Sequence, residues 1–220
     1  MSLERQSRLL RVADALSLGA LVLGAGATAA IYARLPERVA THFDIMGVAD
    51  GWSSRAFGAS ILPAIGAGTW LLLRLGGHIV PKSWRARYAA SPMAELACAV
   101  LLLMMAMHLL IVRAALDGST QIGGGLATLI GLAWLAFAIF LPRVRRNPFV
   151  GIRTPWSLAS DENWARTHHF ASYTFAVGGI VALIAAAVGG AAAVALALVV
   201  TMISALVPAA YSWRLAVRKG

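Results

Sequence analysis

FASYTFAVGGIVALIAAAVGGAAAVALALVVTMISALVPAAYSW, residues 170–213, holds no charged side chain in 44 positions. As a single helix rising about 1.5 Å per residue it would extend roughly 66 Å, about twice the hydrocarbon core of a bilayer. Gly189-Gly190 near the middle supplies a turn, so the stretch predicts a membrane hairpin with spans over 170–188 and 191–212.

Four further apolar runs precede it, at 12–33, 56–80, 92–112 and 122–141, each close to the about 20 residues that cross hydrocarbon as a helix. Ser53 or Ser54 is placed to cap the second run, and Ser91-Pro92 fits as N-cap and first position of the third. Ala27-Thr28-Ala29 has the small-x-small form of a signal cleavage site. The first apolar run is long for a signal, so a retained span is expected. Composition agrees: 60% of residues are hydrophobic, 13% are charged and the mean hydropathy is +0.76, which a soluble domain could not cover with polar surface. The fold expected is an all-α integral membrane protein of six transmembrane helices.

Net charge is +10. In a membrane protein this points to orientation and contact with anionic lipid rather than to direct nucleic-acid binding. An inside N-terminus places fourteen cations on the inner side: Arg5, Arg8, Arg11, Lys82, Arg85, Arg87, Arg143, Arg145, Arg146, Arg153, Arg166, Arg214, Arg218 and Lys219. Arg34, Arg38, Arg55 and Arg113 fall outside, and Arg74 lies within a span. The asymmetry predicts cytoplasmic N- and C-termini, an external loop at 34–55 and a cytoplasmic link at 143–169. The lone cysteine, Cys98, forms no intramolecular disulfide and reads as a small buried apolar residue. Small residues that let helices approach closely include Ala182, Ala186 and Gly190 at spacing four, with Gly24, Gly26, Gly58 and Gly66.

Two polar segments exceed what a connection needs. The external loop carries Pro36, His42, Phe43, Asp44, Gly47, Asp50 and Trp52 over 22 residues, with turn formers that indicate a defined shape. His42 and Asp44 share a face if extended, and with Asp50 they are weak metal-ligand candidates lacking a recognised spacing. Otherwise the loop is a solvated recognition element. The second segment, NPFVGIRTPWSLASDENWARTHH at 147–169, divides into an irregular part with turns at Pro148 and Gly151, then a helix capped by Ser160. On that helix Trp164 and His168 share a face, whereas His168 and His169 diverge by about 100°, so a stacked Trp164–His168 pair is expected. The preceding Arg143–Arg146 run reads as a membrane anchor.

Within the spans, Arg74, Glu95 and His108 are the ionisable candidates. Such residues mark functional paths or satisfied interhelical contacts, and Arg74 can snorkel to the inner face. Hydrolase, nucleotide-binding and metalloprotease signatures are absent, so no enzyme activity and no cofactor are expected.

The loop LPERVATHFDIMGVADGW, 35–52, resembles the pattern LP-x3-P-x-HF-x3-G-x2-D-x-W of the domain of unknown function 1648, with Ala40 where proline is frequent. The second segment resembles the SdpI family signature through Asn147, Gly151, Ile152, Arg153, Thr154, Pro155, Trp156, Ser157, Leu158, Ser160, Trp164 and His168. The resemblance implies a division into residues 1–80, 81–142 and 143–220. It also implies a bacterial inner-membrane immunity and signalling protein, whose partners would be membrane lipids, an extracellular peptide toxin and a cytoplasmic repressor. A small-molecule or lipid transporter and a metal-dependent membrane enzyme are the alternatives.

Overall fold

The computed structural model describes residues 3–190 and 192–217, with side chains from Arg8 and from Leu10 onward. Arg218, Lys219, the side chain of Arg5 and position 191, where the last span was expected to begin, lie outside the described residues. Eight helices follow in order: α1 (Leu3–Ala30), α2 (Arg55–Ile79), α3 (Lys82–Ala89), α4 (Met93–Asp117), α5 (Gly123–Phe140), α6 (Pro155–Ala159), α7 (Asp161–Val188) and α8 (Ala193–Val217). Six of these are long and apolar enough to cross a membrane, namely α1, α2, α4, α5, α7 and α8. Ser54 caps α2 through Phe57 N–H, and Ser160 caps α7 through Asn163 N–H. Gly189 and Gly190, at φ +76 and +85, make the turn that separates α7 from α8. Ser91 does not cap α4. Its hydroxyl donates to Arg87 O and accepts from Arg145 N–H, and Pro92 stands at the cap without a side-chain bond.

The spans pack as two trios, α1–α2–α4 and α5–α7–α8, which meet mainly along α4 and α5. Close approach through small residues is the means in both, because lipid removes the hydrophobic drive between helices. A Cβ on Gly131 would lie 2.9 Å from Gly179 O, and one on Gly179 would lie 2.8 Å from Gly131 O, so α5 and α7 touch backbone to backbone. Ala127, Ala182 and Ala197, all fully buried, continue that seam to α8. Gly66 takes Leu101 and Met104 of α4. Gly26, by contrast, has open space around it and is not a packing position.

Segments expected to be links have structure. The 34–55 loop is an antiparallel hairpin of β1 (Arg38–Phe43) and β2 (Ala49–Ser54), entered by a 3-10 turn at Tyr32–Arg34. The 81–91 link contains α3. The hairpin sits at the end of the bundle where α4 passes to α5, since Ala49 N–H donates to Thr120 O and Ile122 N–H to Gly47 O. The 143–160 segment meets α3 and the end of α8 instead, through Arg146 over the Trp84 ring and Thr154–Ser212. The two segments therefore occupy opposite ends of the bundle.

Candidate functional site

Asn147 organises the irregular half of the 147–169 segment. It is fully buried and uses its whole amide: Nδ2 donates to Arg145 O (2.8 Å) and Val150 O (3.0 Å), while Oδ1 accepts from Phe149 N–H and Val150 N–H at 2.8 Å each. A side chain with two donors and two acceptor lone pairs meets a loop presenting two carbonyls and two amides. The loop then reverses at Gly151, φ +122, where any Cβ would collide with His168 Nε2 and with the ring of Trp164.

Beneath Gly151 lies the pair expected from spacing. Trp164 and His168 stack with centroids 4.0 Å apart and planes at 20°. Ile152 N–H donates to His168 Nε2 (3.0 Å), so that nitrogen is bare, and Nδ1–H donates to Trp164 O (2.8 Å). One tautomer alone satisfies both bonds. Trp164 Nε1–H closes the layer by donating to Val144 O (2.8 Å).

Thr154 then starts α6 with a reciprocal cap: its hydroxyl accepts from Ser157 N–H, and Ser157 Oγ accepts from Thr154 N–H. Thr154 Oγ1 also meets Ser212 Oγ at 2.7 Å, and Asn163 Nδ2 donates to Ser212 O, which ties the segment to α8. Arg153, Pro155 and Trp156 point outward and are exposed. The segment thus divides into an interior set (Asn147, Gly151, Thr154, Trp164, His168) and an exposed set. Arg153 makes no hydrogen bond or ion pair among the described residues.

Arg146 departs from the expected anchoring role. Its guanidinium bonds Asp161 (2.8 Å) and Leu158 O (2.6 Å) and lies 5.5 Å over the ring of Trp84. Asp161 also receives Arg87 of α3 at 3.0 Å. Arg146 therefore fastens the segment to α3 and α7, because the start of α7 brings a carboxylate into reach. Tyr88 of α3 is buried, which pushes its phenol up from the usual range, and donates to Leu73 O at 2.6 Å.

The hairpin has its own interior. Asp44 Oδ1 accepts from Met46 N–H (2.8 Å) and Val48 N–H (2.9 Å), holding the turn that Gly47 completes at φ +74. His42 instead pairs with Asp50 across the strands at 2.5 Å, an exposed contact. Gly51 is required opposite His42, whose Cβ would sit 2.9 Å from an added Cβ. Among the described residues no three His, Cys, Asp or Glu side chains gather as a metal site. Phe43 packs on the cluster around Val39 and Ile111, Pro36 O accepts from Arg55, and Trp52 is exposed.

The intramembrane candidates each hold a different partner. Arg74 does not snorkel free: it binds both oxygens of Asp14 on α1, at 2.7 and 2.8 Å. A single carboxylate leaves the run around Asp14 apolar overall, so its only mark in the sequence is an acidic residue early in a span. Glu95 receives Arg143 at 3.1 Å. His108, fully buried, meets Thr28 Oγ1 at 2.7 Å. Thr28 spends its proton on Gly24 O, so His108 donates through Nε2. Its Nδ1 has no partner among the described residues.

Residues 143–212, the segment just described with α7 and most of α8, match the model of the SdpI/YfhL protein family. Over that segment the chain is similar to the SdpI/YfhL family, and its six long helices are apolar enough to cross a membrane. Residues 19–67 also match the domain of unknown function DUF1648, which covers the hairpin and parts of the two spans that flank it. No curated protein and no solved structure matches the chain.

Proposed function

We propose that this chain is a bacterial inner-membrane immunity and signalling protein. On this reading the hairpin faces outward and meets a secreted peptide toxin. The Arg153–Trp156 surface faces the cytoplasm and holds a partner there, a transcriptional repressor being the one the family resemblance implies. The protein acts by binding and not by catalysis. The observation that carries the reading is the construction of the 147–169 segment. Buried bonds from Asn147, His168 and Trp164 hold a cation and an aromatic ring rigidly at the surface, at the end of the bundle opposite a second ordered recognition loop. An exposed cation beside an aromatic side chain is a common binding anchor. A transporter would draw on the intramembrane candidates Arg74, Glu95 and His108, and each of them has a different partner.

The test is expression in a toxin-sensitive strain. The wild-type chain raises survival, and Arg153→Ala with Trp156→Ala abolishes membrane recruitment of the repressor while the protein level is unchanged. Unaltered killing by each peptide tried would overturn the immunity reading.

A further inference from the structure

Between the two helix trios lies an apolar cavity of about 620 Å³, within the range of about 300–1,000 Å³ typical of ligand sites. One wall is an aromatic group from the second trio, with Trp134 and Phe175 4.4 Å apart and Phe137 beside both. The facing wall comes from α2 and α4, including Thr69 and Leu96. Phe149–Ile152, the turn locked by Asn147 and His168, closes one end. Trp134 turns its Nε1–H away from the cavity's apolar wall to Thr201 Oγ1 at 2.6 Å, so the aromatic wall presents no free donor.

The cavity runs from mid-span, at Phe175 and Trp134, to the end of the bundle that carries the termini, at Leu141 and Phe149–Ile152. An apolar space at that depth stays dry, and leaving it void forfeits contacts on every wall. A peptide helix fits poorly. At about 10 Å across and about 5.4 Å per turn it would fill the space in about one and a half turns, and an extended peptide would bring backbone groups that nothing there can satisfy. A hydrocarbon chain has neither problem. The rim supplies the head-group preference: Ile152 lines the cavity, and Arg153 follows directly, exposed and unpaired among the described residues, whereas Arg143 near Leu141 is held by Glu95.

We propose that this cavity binds one acyl chain of an anionic phospholipid from the leaflet on the side of the termini, with the SdpI signature turn as its roof. The cavity itself stands apart from the immunity reading, whereas the role given to it through Arg153 rests on that reading. Its role would be to make the Phe149–Ile152 turn, and through it the adjoining Arg153–Trp156 surface, responsive to the surrounding lipid.

The experiment is photolabelling of the full-length protein in vesicles with phosphatidylglycerol carrying a diazirine in its acyl chain, mapped by mass spectrometry. Labels are expected on peptides holding Trp134, Phe149–Ile152 and Thr69, at least five times more than with the same probe on phosphatidylcholine. Thr69→Phe and Ala205→Phe, which fill the cavity, should lower that labelling about tenfold, whereas Ile184→Phe on the outer face of α7 should not. Wild-type labelling spread evenly over the outer helix faces, or equal labelling by both head groups, would overturn the proposal, as would labelling indifferent to the filled cavity.

Discussion

Ile152 donates its backbone N–H to His168 Nε2 across 3.0 Å, and that bond joins the irregular half of the signature to the helical half. The imidazole serves as an acceptor on one side and a donor to Trp164 O on the other. Its place in the segment is therefore structural, and the exposed residues owe their position to it.

His168→Ala removes the one acceptor that Ile152 N–H has among the described residues, along with the stacked ring. An unsatisfied buried amide costs about 1–3 kcal/mol, so unfolding in detergent should shift by at least that amount. An unchanged midpoint would show that the bond does not hold the segment.

Gly151→Ala should be worse than its size suggests. The position has φ +122 and no room for a methyl group against His168 and Trp164, and strained backbone alone costs about 1–3 kcal/mol. Gly68→Ala, with open space around it, serves as the control and should be neutral in the same denaturation series.

Asp14 and Arg74 form a bidentate pair between α1 and α2, each side chain under one third exposed. Removing either partner strands a half-buried charge in the bundle, at a cost below the about 3–5 kcal/mol of a fully buried pair. The double variant Asp14→Ala/Arg74→Ala should be less destabilised than the sum of the singles, by at least about 1 kcal/mol. Simple additivity in a double-mutant cycle would mean that the contact carries no coupling.

Arg153→Ala and Trp156→Ala touch only exposed side chains, so stability should move by no more than about 0.5 kcal/mol. Protection and partner recruitment should be lost. Loss of stability alongside loss of function would remove the distinction between scaffold and surface.

In the hairpin, Asp44→Ala should loosen the turn, because two backbone amides lose their acceptor. Asp50→Asn, by contrast, alters an exposed pair of about 0–1 kcal/mol. Amide exchange at Met46 and Val48 would register the first change and not the second. Elemental analysis of the purified protein is expected to find no stoichiometric metal, since Asp44 is committed to its own loop.

Much was legible in the chain because it depends on local chemistry. An uncharged stretch over 170–213 broken by Gly189-Gly190 has few alternatives in a bilayer, so the six spans, a cap at Ser53 or Ser54, the Ser160 cap and the Trp164–His168 stack follow from periodicity and propensity. Helical spacing brings residues four apart together whatever surrounds them. What the tertiary structure alone decided are the partnerships between residues far apart in sequence. Asp14 with Arg74, Arg146 with Asp161, the Gly131–Gly179 crossing and the cavity roofed by Phe149–Ile152 all depend on which helix faces meet. Between helices in lipid that choice is made by close packing and polar pairing, not by apolar burial. An apolar face reads the same in sequence whether it meets lipid, a neighbouring helix or a cavity.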